Sequence, residues 1–286
     1  MNAPTVPSRG RAGSAAAADR HAAELRSGER FAFGANWRRF LDDLAPARID
    51  AAAQSLQQML GVATLAGRTF LDVGSGSGLF SLAAWRLGAR VRSFDYDPES
   101  VACTRELRHR HADDDPGWVI DRGSILDEAF TAALGRFDVV YAWGSLHHTG
   151  EMWRAIERSA ALVAPSGRHF LAIYNDQGWR SSAWRGVKRV YVASAAGRWV
   201  VSAAVVPVFW LREQAARLLG RRRDAARRRG MSAARDWTDW LGGYPFEVAT
   251  PDAVVAFHEA RGFRLERSVT TPRLGCNQFV FVHARA

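Results

Sequence analysis

The chain has 286 residues, 48% of them hydrophobic, and a formal net charge of +10; that size and apolar content suit one α/β core with a small appendage. Two cysteines, Cys103 and Cys276, are too few for a disulfide scaffold, and their spacing offers no metal site. No run of about 20 apolar residues occurs, which excludes a membrane-spanning helix, and Lys188 is the only lysine among 39 basic residues.

Residues 1–28, rich in Ala, Arg, Ser and Gly, lack the apolar stretch of a signal peptide and read as a disordered tail. The expected location is cytoplasmic. Residues 29–66 read as a helical segment, with apolar positions at Phe40, Leu44, Ile49, Leu56, Met59, Leu60 and Leu65. Strands and helices then alternate. Strands are expected over 69–73, 90–95, 117–121, 137–143 and 167–174, and helices over 79–87, 98–110 and 151–163. Asp97 followed by Pro98 is a helix entry, the acid capping and the proline at the first helical position. Apolar runs such as 137–143 suit parallel strands covered on both faces, so the core 67–174 reads as a doubly wound sheet. The alternation stops at Asn175. Residues 175–250 are helical, aromatic and arginine-rich, an insertion before a helix over 251–260 and strands over 263–270 and 277–283.

The most informative stretch runs from Phe70 to Phe80. An apolar strand enters a loop with glycine at Gly74, Gly76 and Gly78, where the main chain approaches a ligand with no side chain between. The helix that follows directs N–H groups toward the loop. Asp95 ends the second strand, 17 residues beyond Gly78, where a carboxylate accepts hydrogen bonds from both hydroxyls of a ribose. The dinucleotide fingerprint Gly-x-Gly-x-x-Gly is absent, because the third glycine comes one residue early. Asp72, beside the loop, would repel a pyrophosphate and favour a ligand bearing ammonium or sulfonium charge.

Through these residues the chain resembles the class I S-adenosylmethionine-dependent methyltransferases, of the bacterial small-molecule type with Leu-His-His-Thr-Gly after the fourth strand. The resemblance implies a Rossmann-like sheet of seven strands, mostly parallel with an antiparallel edge strand, in which residues 251–286 complete the sheet. It also implies a site for S-adenosyl-L-methionine. Gly74, Ser75, Gly76 and Gly78 would pass under the amino-acid end, with Asp72 near its ammonium group. Asp95 would hold the ribose, and Tyr96, Ser124 and Ile125 would lie around the adenine. Trp143 and Gly144 would line the methionine moiety. Asp97 and Asp127 read as a helix cap and a loop acid.

Methyl transfer from a sulfonium needs an aligned acceptor and, for a hydroxyl, a proton acceptor. His148 and, second, His147 are the candidates, standing where open α/β sheets bind ligands and having an ordinary pKa of about 6.5. Tyr174, Asn175, Asp176, Gln177, Tyr244, Glu247 and Asn277 are further candidates to face the acceptor. The expected acceptor is small or lipid-linked and methylated at oxygen, with no metal involved. Four readings are open for the insertion: a lid over the acceptor, a peripheral membrane contact through 199–235, nucleic-acid binding, and a solvated arginine face. The rival functions are an RNA methyltransferase and an NAD-dependent oxidoreductase.

Overall fold

A computed structural model describes residues 20–42, 44–218 and 241–284. Two helices, α1 (Gly34–Asp42) and α2 (Pro46–Leu60), precede the sheet. The alternating core is β1 (Thr69–Val73), α3 (Leu79–Arg86), β2 (Arg90–Asp95), α4 (Pro98–Ala112), β3 (Trp118–Arg122), α5 (Glu128–Ala132), β4 (Phe137–Trp143), α6 (Met152–Ala161) and β5 (Val163–Tyr174). Helices α7 (Trp179–Ala193) and α8 (Ala195–Leu218) follow, and α9 (Pro251–Glu259), β6 (Phe263–Val269) and β7 (Cys276–His283) complete the sheet.

The seven strands run in the order β3-β2-β1-β4-β5-β7-β6. All are parallel except β7, which pairs antiparallel with both β5 and β6. The antiparallel strand expected at the edge of the sheet lies one place in from its margin. The chain winds outward from β1 through β2 to β3, then returns to β4 on the other side of β1. That reversal opens a crevice at the carboxyl ends of β1, β2 and β4.

Each strand's two-residue period divides it between two cores. Phe70, Val91, Trp118, Val139 and Phe170 pack with residues of α1 to α4 on one face. Leu71, Val73, Phe94, Val140 and Leu171 pack with α6 and α9 on the other. The first core holds a chain of buried polar groups. The Trp118 indole donates to Ser93 Oγ at 2.8 Å, Ser93 and Ser81 hydroxyls meet at 2.7 Å, and Ser81 donates to Asp72 at 2.6 Å.

Two expected boundaries change. Residues 20–26 are helical, and residues that follow them are tied to the core: Phe31 N–H donates to Tyr244 O at 3.0 Å, and Gly34 N–H to Asp97 Oδ2 at 2.8 Å. The tail expected to reach residue 28 thus ends earlier, and residues 1–19 lie outside the described residues. Within 175–250, α7 and α8 pack together around Tyr191, Val192 and Val201 with Leu241. The basic run of residues 219–240 lies outside the described residues. No helix among the described residues is long and apolar enough to cross a membrane.

Candidate functional site

The crevice at the reversal point holds a cavity of about 680 Å³, within the range for small-molecule sites. Its floor is the loop after β1. Gly74 has φ +78°, and a Cβ there would lie 2.5 Å from Ser145 Cβ, so no larger residue fits. The loop's donors are mostly consumed within the protein. Gly74 N–H and Ser75 N–H both donate to Phe94 O, Gly76 N–H donates to Asp95 Oδ2 at 2.9 Å, and Gly78 N–H to Ser75 O. A loop so occupied cannot offer the row of free N–H groups that a pyrophosphate requires.

Asp95 sits at the end of β2 and lines the cavity. Its Oδ2 accepts from Gly76 N–H and its Oδ1 from Asp97 N–H, both at 2.9 Å. A carboxylate oxygen has two lone pairs, so each oxygen keeps one for a ligand hydroxyl. Burial pushes this carboxyl up to about 6, against the pull of the two backbone donors. Tyr96, Ser124, Ile125 and Trp143 line the same cavity, with Ser124 Oγ accepting from Leu126 N–H and the Trp143 indole donating to Gln278. Gly144, with φ +72°, also lines it, and a Cβ there meets no atom within 4 Å. A side chain at Gly144 would occupy ligand space.

Three residues expected at the ligand face elsewhere. Asp72 is 2% exposed and outside the cavity; it terminates the Trp118–Ser93–Ser81 relay, and burial pushes its carboxyl up to about 7. Ser75 bonds Thr104 Oγ1 at 2.9 Å, and Gly78 packs on Thr104, holding α3 against α4. These shape the loop from behind. Asp97 and Asp127 reach the cavity wall but cap α4 and α5 through Glu99 N–H and Phe130 N–H.

The histidine pair separates cleanly. His147 is fully enclosed, its ring 4.1 Å from that of Tyr174 and 4.4 Å from that of His148, and it does not line the cavity. His148 does. Its Nδ1 lies 2.7 Å from Pro245 O, which can only accept, so the ring carries its proton on Nδ1 and leaves Nε2 as a bare lone pair. Burial, aided by the charges of Lys188 and Arg30, pushes its pKa down to about 3.

The remaining candidates have structural partners. Asn175 and Asn277 bond each other at 3.0 Å, Gln177 bonds Pro272 O, and Glu247 accepts from Met152 N–H. None of these, nor Tyr174, Asp176 or Tyr244, lines the cavity.

The wall that sequence reading missed comes from the N-terminal segment: His21, Glu24, Arg30, Phe31, Phe33 and Trp37 all face the cavity. Arg30 is its anchor. It pairs with Glu24 at 2.6 Å, donates to His148 O at 3.0 Å, and lies 4.9 Å over the Tyr96 ring. The aromatic run from Phe31 to Trp37 was the available signal. Other residues not anticipated include Thr149, Glu151 and Arg154, which follow the histidines, and Ser100 and Ser145. Among the described residues, no group of three His, Cys, Asp or Glu side chains could hold a metal.

A mostly parallel sheet with this strand order, a glycine loop after β1 and an acid ending β2 give the fold expected from the resemblance to class I, S-adenosylmethionine-dependent methyltransferases. Residues 71–169 match the family model described as a methyltransferase domain. The ubiquinone biosynthesis O-methyltransferase of Methylobacterium sp. (strain 4-46) is 34% identical over 116 residues, 41% of this chain and 45% of that protein. Its counterpart in Xanthomonas oryzae pv. oryzae (strain PXO99A) is 33% identical over 135 residues, 47% of this chain and 52% of that protein. The chain thus spans about half the length of the curated relatives it matches. Among solved structures, magnesium protoporphyrin IX methyltransferase from Synechocystis PCC 6803 superposes with a TM-score of 0.52 at 13% identity, covering 87% of this chain and 93% of that one. An O-methyltransferase family protein from Burkholderia thailandensis gives 0.51 at 17% identity, covering 96% and 69%. These two likenesses establish the fold.

Proposed function

We propose that this chain transfers a methyl group from S-adenosylmethionine to an oxygen of a small-molecule acceptor. The observation that carries the proposal is Asp95: one half-buried carboxylate in the cavity wall that fixes the glycine loop and accepts a single protein hydrogen bond on each oxygen. The residues present fit the cofactor. Asp95 would take the ribose hydroxyls, Tyr96, Ser124 and Ile125 would surround the adenine, and the bare main chain at Gly74, Gly76 and Gly144 would take the amino-acid end. The spent donors of the loop disfavour the nicotinamide dinucleotide alternative. The similarity to the ubiquinone O-methyltransferases favours oxygen as the accepting atom. A lipid-linked acceptor, with a peripheral membrane contact through 199–235, belongs to the same proposal.

When bound, the cofactor supplies a methyl group already activated by its sulfonium charge. The protein's task is then alignment, bringing reacting atoms to roughly 3–3.5 Å, and exclusion of water. Phe31, Phe33 and Trp37 do the excluding, packed over the crevice by Arg30. His148 Nε2 accepts the hydrogen bond of the acceptor hydroxyl, turning an oxygen lone pair toward the donor, and takes the proton as transfer proceeds. Held at about 3, the ring is unprotonated throughout the neutral range but is a weak base, so it takes the proton only as methylation makes the acceptor oxygen strongly acidic.

Incubation of host extract with the protein and deuteromethyl-labelled cofactor, followed by mass spectrometry, tests the proposal. A product heavier by one labelled methyl group on oxygen is expected, and no labelled product at any protein concentration would refute it. His148→Ala should lower turnover by about 100-fold or more, while leaving the affinity for S-adenosylhomocysteine within about threefold. Unchanged turnover would remove His148 from the reaction.

A further inference from the structure

We infer that the outward face of α8 docks on an anionic lipid surface; this deepens the proposed membrane contact by fixing the face and the charge of the lipid. Trp199 is 73% exposed and Trp210 52%, with Val200, Val208 and Leu211 each half exposed or more. At 3.6 residues per turn these five fall within about one half of the helix circumference, while Val201 turns inward to pack on α7. Exposed side chains from 199 to 211 on α8 are without exception uncharged. A contiguous apolar face of this kind marks an interaction surface.

Charge selects the occupant. Residues 178–212 contain no Asp or Glu. Arg180, Arg189, Arg198 and Arg212 are exposed, and the last two bracket the apolar stretch of α8. Tryptophans near both ends of an apolar face, flanked by arginines, match the amphipathic demands of a headgroup boundary. A second copy of this chain fits poorly, because two such faces would oppose Arg198 and Arg212 to their counterparts, with Glu213 the one carboxylate in the α8 sequence. Closure over the active crevice does not explain the face either, since no residue of α7 or α8 lines the cavity.

The test uses the full chain without cofactor or acceptor, so its result is independent of whether methyl transfer is demonstrated. In flotation, binding is expected to vesicles of phosphatidylglycerol and phosphatidylcholine, with little to phosphatidylcholine alone and a loss at high salt. The double variant Trp199→Ser, Trp210→Ser should weaken binding at least about tenfold. Arg198→Gln and Arg212→Gln should each cost about fivefold, the equivalent of about 1 kcal/mol per charge. All variants should keep the wild-type circular dichroism spectrum and melting temperature, which report an intact fold. No binding to anionic vesicles, or binding that the tryptophan variant leaves unchanged, would overturn the inference. So would a dimer in light scattering that the tryptophan variant converts to monomer, since a second copy would then cover the face.

Discussion

Two acids of similar sequence context behave differently because strand geometry turns them to different places. Asp95 ends β2 beside the glycine loop, with its carboxyl at about 6. Its protonation removes an acceptor from the proposed ribose contact. Affinity for S-adenosylhomocysteine should therefore be flat above pH 7 and fall about tenfold per unit below pH 6, read by calorimetry. A flat profile down to pH 5 would take Asp95 out of the site. Asp72 shares the face of Phe70, beneath α3, where Ser81 and Ser93 complete its hydrogen bonds. Its raised pKa means that stability contributed by this group is present below its ordinary 3.8 and lost as pH rises through about 7. Asp72→Asn keeps an acceptor for Ser81 without the charge. It should stabilise the fold at pH 8 by up to about 4 kcal/mol, with the gain shrinking toward zero near pH 4 in urea unfolding. Equal effects at both pH values would contradict the assignment. Asp95 was legible because strand, loop, helix and acid are local features. The burial of Asp72 behind the loop was not legible, because proximity to the loop in sequence outweighed the period of two that puts it with Phe70.

At the scale of elements, most of the alternating core was legible from its periodicity; the short helix α5 (Glu128–Ala132) was not, and β5 begins at Val163 rather than at 167. Asp97 caps α4, with Pro98 at its start, and Thr250 caps α9 in the same manner. What covers the crevice was not legible. Helix and aromatic signals around residues 20–37 are short, and their placement depends on contacts across the chain: Gly34 to Asp97, Phe31 to Tyr244, Arg30 to His148. A lid was one of four readings open for 175–250; among the described residues the cavity wall is lined by the N-terminal segment and by no residue of α7 or α8. Arg30→Ala removes the ion pair with Glu24, the bond to His148 O and the contact with Tyr96 together. It should weaken S-adenosylhomocysteine binding about tenfold, mostly through faster dissociation in stopped-flow, with little change in melting temperature. An unchanged dissociation rate would mean that the segment does not close over the ligand.

For the whole molecule, the order of the strands makes the function. Winding from β1 outward to β3 and back to β4 leaves one crevice at the carboxyl ends, and the chain brings the glycine loop, Asp95 and His148 to that single opening. The two faces of the sheet are filled by separate cores, so the crevice edge is the place where backbone meets solvent. The α7–α8 pair stands behind the crevice wall without lining the cavity, its small apolar cluster packing against Phe31. Its position was the least legible feature, because an aromatic, arginine-rich composition is equally compatible with a lid, a membrane contact or a solvated face. The central claim is that Asp95 and the spent-donor glycine loop bind S-adenosylmethionine. Titration calorimetry of the wild-type protein and Asp95→Ala with S-adenosylhomocysteine and with NAD tests it most directly. The account predicts heat with S-adenosylhomocysteine, none with NAD, and a loss of at least about 100-fold in affinity in the variant, the scale of two hydrogen bonds to a charged acceptor. No heat with S-adenosylhomocysteine, or binding that Asp95→Ala leaves intact, would contradict it.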